Sequence, residues 1–144
     1  MTPITAVYAL AVLACGLVVD GPQSPDEAFE WAELTVPPDA DHVLYEGEQG
    51  IDTLVRLQFI LPNIEAARQH LATHHCTLKP LKTRRDNPFD YAHKGDPSWL
   101  VHEPQDASLS CSTEPGDGVK VYRAARVDPL PDGRVRVQVR ANTV

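Results

Sequence analysis

Thr53-Leu54-Val55-Arg56-Leu57-Gln58-Phe59-Ile60-Leu61 runs directly into Pro62-Asn63 and then Ile64-Glu65-Ala66-Ala67-Arg68-Gln69-His70-Leu71. In the first stretch the apolar period is two, with Val55, Leu57 and Phe59 on one side, which predicts a strand. Pro62 closes it. Asn63 has a short side chain able to accept a free backbone N–H at the start of a helix. From Ile64 to His75 the period lengthens, and Ile64, Ala67 and Leu71 fall in one stripe. A half-apolar strand that hands over at once to an amphipathic helix predicts a helix packed on a sheet.

Working outward, His42-Val43-Leu44-Tyr45-Glu46 and the turn Gly47-Glu48-Gln49-Gly50 make a hairpin with that strand. Before it, Pro25-Asp26-Glu27-Ala28-Phe29-Glu30-Trp31-Ala32-Glu33-Leu34 reads as a helix. Proline and acids stand in its first turn, Phe29, Ala32 and Leu34 form its buried stripe, and Val36-Pro37-Pro38 stops it. Downstream, residues 77–98 read as one long loop rich in Pro, Asp, Asn and bases. Strands are expected at Ser98–His102, Ser108–Ser112, Val119–Arg123 and Arg134–Arg140, the last after a Leu130-Pro131-Asp132-Gly133 turn. The whole is an α+β domain: a mostly antiparallel sheet with two helices packed on one face, preceded by an N-terminal signal or anchor segment.

The chain has 144 residues, enough for one domain. Thirteen Lys and Arg against twenty Asp and Glu give a formal net charge of −7. That balance excludes nucleic acid as the expected partner, because neutralising phosphates needs a basic surface. Three cysteines are too few for a disulfide miniprotein.

No charged side chain precedes Asp20. Ala6 to Ala14 is an apolar run of signal-peptide length that ends in Val12-Leu13-Ala14-Cys15-Gly16. Other readings of the same residues are a cleaved signal with Cys15 unmodified, an uncleaved anchor, and a buried cytosolic strand. An anchor of 19 residues spans about 28 Å as a helix, marginal for a bilayer core of about 30 Å. The segmentation follows: 1–19 a signal and lipobox segment, 20–25 a tether, 26–144 a single extracytoplasmic domain. Once Cys15 is set aside, Cys76 and Cys111 remain as a pair for a disulfide in an oxidising compartment. Two buried thiols are the other reading.

Aliphatic Val12, small Ala14 and Cys15, together with the passage from Tyr45-Glu46-Gly47-Glu48-Gln49-Gly50-Ile51-Asp52-Thr53 to Phe59-Ile60-Leu61-Pro62, resemble the small uncharacterised lipoproteins of high-GC Gram-positive bacteria. Leu13 is bulkier than is usual there, and no Lys or Arg precedes the apolar run. The resemblance implies lipidation at Cys15, attachment to the outer face of the cell membrane, and no established activity.

Chemistry-bearing residues are sparse. His70 and His74 lie at i and i+4, so one helix face can offer both rings to a metal, with His93 or His102 as a third ligand. Histidines near a helix C-terminus are also favoured by the dipole alone. In the long loop, Arg84, Arg85, Tyr91, His93 and Trp99 are of the types enriched at binding hot spots, and equally able to tuck the loop onto the sheet. Arg134, Arg136 and Arg140 alternate with valines, so a solvent-facing stripe is expected there, fit for an anionic polymer or simply solvated. Glu46, Glu48 and Asp52 lack the dense oxygen spacing of a calcium loop. No G-x-S-x-G, P-loop or G-x-G-x-x-G occurs, so neither a catalytic set nor a cofactor is expected. The expected function is a lipid-anchored, non-catalytic binding domain whose partners are the membrane and an envelope protein or anionic polymer. The alternatives are a metal-binding or metal-dependent hydrolase lipoprotein using His70 and His74, and an inhibitor or immunity-like protein.

Overall fold

The computed structural model describes residues 21–81 and 96–143. Two helices, α1 (Pro25–Trp31) and α2 (Ile64–Ala72), pack on one side of six strands: β1 (Asp41–Gln49), β2 (Thr53–Leu61), β3 (Lys79–Pro80), β4 (Leu109–Thr113), β5 (Tyr122–Pro129) and β6 (Val135–Asn142). The spatial order is β1-β2-β6-β5-β4-β3, with every neighbouring pair antiparallel. This is the expected α+β class with both helices on one face.

Each helix starts where a short polar side chain waits. Ser24 Oγ accepts from the Glu27 N–H, and Asn63 Oδ1 accepts from the Ala66 N–H at 2.9 Å. Both helices end the same way. Glu33 and His75 adopt positive φ, and the next residue bonds back five positions: Leu34 N–H to Phe29 O, and Cys76 N–H to Leu71 O. A side chain in that conformation is strained, whereas glycine is not. His75→Gly is expected to raise stability by about 0.5–1 kcal/mol, read as a higher urea midpoint. An unchanged or lower midpoint contradicts it.

The core lies between the helices and the sheet. Val55, Leu57, Phe59 and Leu61 of β2 face the same way as Val135, Val137, Val139 and Ala141 of β6, and meet Ala28, Phe29, Ala67 and Leu71. Phe29 and Phe59 touch with ring centroids 5.1 Å apart. Fully burying such a ring is worth about 1.5–3 kcal/mol. Cys76, just past α2, is bonded to Cys111 on β4, with Cα atoms 5.4 Å apart. Gly21 and Pro22 lie against Gly47 of β1. A Cβ on Gly47 would come within 2.8 Å of Pro22 and 2.9 Å of the Leu54 carbonyl, so only glycine fits there.

Several boundaries differ from the sequence expectation. The second helix ends at Ala72 rather than His75, so His74 lies beyond its cap. Ser98–His102 is not a strand: Ser98–Leu100 is a 3-10 turn whose Leu100 side chain is buried. Val119 belongs to a tight turn with Gly116, and the strand expected at Val119–Arg123 starts at Tyr122 and continues to Pro129. Lys79–Pro80, within the expected loop, pairs with β4. The Leu130–Gly133 turn forms as expected, closed by Gly133 N–H to Leu130 O with Gly133 at φ 88°.

The largest departure concerns the arginines. Arg136 and Arg140 do share a face, but it is covered by the chain from Asp96 to Ser108 rather than by solvent. Arg134 sits in the turn, paired with Asp132 at 2.7 Å. Arg123 points to the opposite, helix-bearing side.

Candidate functional site

Both faces of the sheet carry a buried polar assembly. On the face away from the helices, Arg56 of β2 stands directly across from Arg140 of β6, and Gln58 from Gln138. Two like charges opposite one another repel unless an anion lies between them. Asp96 supplies it: its carboxylate accepts from Arg56 Nε at 2.6 Å and from Arg140 Nη2. Glu46 adds a contact to Arg56 at 3.3 Å, and burial pushes its carboxyl above the usual range although Arg56 opposes this. Further along, Asp128 is fully buried and accepts from Arg126, Arg136 and Ser108. Burial alone would raise its pKa, but those three hydrogen bonds outweigh it and hold the carboxyl below its ordinary value. Gln138 donates to the Leu100 carbonyl at 2.7 Å, and Arg126 to the His102 carbonyl at 3.0 Å. These bonds fasten residues 96–108 across the sheet.

On the helix face, Arg123 reaches between the ends of both helices. Nη1 donates to the carbonyls of Ala32 (3.0 Å) and Glu33 (2.8 Å), and Nη2 donates to that of His74. One cation thus satisfies carbonyls at two helix C-termini, where the dipole is negative.

Above this clamp, the chain leaving α1 crosses α2. Thr35, Val36, Pro37, Pro38 and Asp39 form one wall of a cavity of about 290 Å³, with Leu61, Ala66, Gln69, His70 and Thr73 opposite. Thr35 is tied to both histidines. His70 Nε2 lies 2.7 Å from the Thr35 carbonyl, which can only accept, so Nε2 carries the proton. His74 Nε2 lies 3.2 Å from the Thr35 N–H, which can only donate, and 2.9 Å from Thr35 Oγ1, so that nitrogen is bare. The two rings hold opposite tautomers with centroids 5.1 Å apart, and Phe59 meets the His70 ring edge-on.

The residues expected to form sites separate as follows. His70 and His74 come together, and each spends its Nε2 on Thr35. His102 lies on the other face of the sheet, its Nε2 donating to the Trp99 carbonyl at 2.7 Å, and so cannot join them. Among the described residues no three His, Cys, Asp or Glu side chains gather in a way that could hold a metal ion. Trp99 is half-buried in the 3-10 turn. Cys15, Arg84, Arg85, Tyr91 and His93 lie outside the described residues. Cys76 and Cys111 form the expected bridge.

Sequence reading missed Thr35, the wall Val36–Asp39, and the buried charges Arg56, Asp96, Arg123, Arg126 and Asp128. Val36-Pro37-Pro38 was informative only as a helix stop. Among the described residues no helix is long and apolar enough to cross a membrane. Compared with known proteins, the chain matches no family model, no curated protein and no solved structure.

Proposed function

We propose that the protein is an exported, lipid-anchored domain that binds a small, largely apolar ligand in the cavity between α2 and Thr35–Asp39, without catalysing a reaction. The observation that carries export is the Cys76–Cys111 bridge, since such bonds persist in oxidising compartments. The neutral residues 1–19 and the lipobox-like Val12-Leu13-Ala14-Cys15 supply the route and the anchor. The character of the ligand follows from the walls: Val36, Pro37, Pro38, Leu61 and Ala66 are apolar, with Gln69, Thr73 and Asp39 as polar groups that orient it. Both imidazoles are occupied by Thr35, which speaks for binding over proton transfer.

The full chain, expressed in a lipoprotein-processing bacterium, tests the anchor. The expected product partitions with membranes and has the mass of a chain beginning at acylated Cys15, and Cys15→Ala abolishes both. Recovery of the unprocessed chain in the cytoplasm with Cys76 and Cys111 open to alkylation overturns the reading. The bridge encloses a separation of 35 residues. Reducing it is expected to lower stability by about 4 kcal/mol in the chain-entropy model, measured by urea unfolding with and without reductant. For the cavity, a fragment screen by NMR is expected to shift the amides of Val36, Ala66 and Gln69. Ala66→Trp, which fills the space, removes those shifts.

A further inference from the structure

We propose that Thr35, held between His70 and His74, is a pH-released latch that fastens the Thr35–Asp39 wall over the cavity. This deepens the reading of the cavity as a binding site by naming what regulates it. The geometry sets the direction. The latch needs His74 Nε2 bare to accept the Thr35 N–H, and needs His70 Nε2 protonated to donate to the Thr35 carbonyl. A proton added to His74 turns its acceptor into a donor facing another donor. A proton added to His70 goes to Nδ1, which is buried with no hydrogen-bond partner. Either event sets a charge beside a second imidazole 5.1 Å away.

The surroundings offer no compensation. Arg123 of β5 faces both rings as a fixed cation, His75 follows His74 beyond the cap of α2, and Phe59 of β2 presents only its ring to His70. Two carboxylates lie on the chain between α1 and β1. Glu33 accepts from the Lys120 N–H at 2.9 Å, and Asp39 lines the cavity; neither pairs with an imidazole. Burial first pushes both histidines below their ordinary 6.5; at His74 the His70 ring, Arg123 and His75 add to this, and at His70 the Thr35 carbonyl partly offsets it while Arg123 adds to it. The neutral pair is therefore the latched form. Because the released form takes up protons more readily, acidification through and below pH 6.5 favours release. The ratio of released to latched protein shifts on the order of tenfold per pH unit for each imidazole that titrates. What moves is local: Thr35 to Ala40, closed by the Ala40 N–H to Pro37 O turn, carries few bonds to the body besides those to His70 and His74.

Amide hydrogen exchange on the full chain without ligand, between pH 7.5 and 5.0 and corrected for intrinsic rates, tests this. Protection of Thr35 and Ala40, whose N–H groups bond to His74 Nε2 and the Pro37 carbonyl, is expected to fall at least tenfold while β2 and β6 amides keep theirs. In His70→Gln/His74→Gln, which cannot titrate, the change is expected to flatten. NMR of the wild-type rings at pH 7.5 gives a reading that needs no variant: His70 as the Nε2–H tautomer and His74 as the Nδ1–H tautomer. Wild-type protection that is constant with pH, a fall shared by β2 and β6, or a fall that persists in the double variant overturns the latch, as do the reverse tautomers. Because no ligand is present, a failed fragment screen leaves this result standing and removes only the binding reading.

Discussion

Asp128→Ala is expected to destabilise the fold by about 3–5 kcal/mol, the largest effect of any single substitution considered, and to leave little folded protein at 37 °C. The carboxylate is fully buried and serves Arg126, Arg136 and Ser108 together. Removing it takes from the Arg126 guanidinium, also fully buried, the carboxylate 2.8 Å from its Nη2. Arg126 further holds the His102 carbonyl, so the loss spreads to the 96–108 segment across the sheet. The pH dependence has a definite sign. Since the Asp128 carboxyl lies below its ordinary 3.8 in the fold, its contribution is present above that value and fades as pH falls through the folded one. Urea melts at pH 7 and pH 3 measure both statements. At pH 3, below the ordinary 3.8, the wild type should have lost part of this stability, whereas Asp128→Ala should show a smaller difference between the two. A loss under 1 kcal/mol at pH 7 would show that the buried arginines are held by other means.

The second large effect is Arg123→Met, expected at on the order of 3 kcal/mol. Methionine keeps most of the aliphatic volume but leaves the carbonyls of Ala32, Glu33 and His74 without their donor, at about 1–3 kcal/mol for a buried group before relaxation. For a chain of this size that corresponds to roughly a 10 °C lower Tm. The same substitution removes a positive charge that lowers the pKa of both His70 and His74, so both should titrate at higher pH. Arg123→Lys keeps the charge while losing the fork and should recover only part of the stability. If Arg123→Met melts together with the wild type, the helix ends are satisfied without this clamp.

The stretch from Thr53 to Leu71 could be read from sequence because each residue has one dominant influence. Val55, Leu57 and Phe59 seek the core, Pro62 ends a ladder, and Asn63 caps a helix. The paired cysteines were readable for a similar reason: two remained once Cys15 was assigned elsewhere. Arg136 and Arg140 misled because alternation reveals which residues share a face but not whether that face meets water. Their cover comes from residues 96–108, and Asp96 is 40 and 44 positions from the two arginines it joins. Ser98–His102 had strand-like composition, yet its Leu100 and His102 carbonyls are taken by side chains of β5 and β6 rather than by a backbone ladder. The cavity was opaque for the same reason. Thr35 meets His70 and His74 at separations of 35 and 39 residues, which no local period encodes.

The outer margins of the sheet bear on self-association. β3 has only two residues and one is proline, which has no N–H to offer a further strand. At the other margin β1 is nine residues long, an inviting template, but its register is broken between Asp41 and Leu44 and it carries Glu46 and Glu48. A second molecule docking margin to margin would bring these acids together in a ribbon of like charge. That protection weakens with acid sooner than a free glutamate would allow, since burial already makes Glu46 easier to protonate.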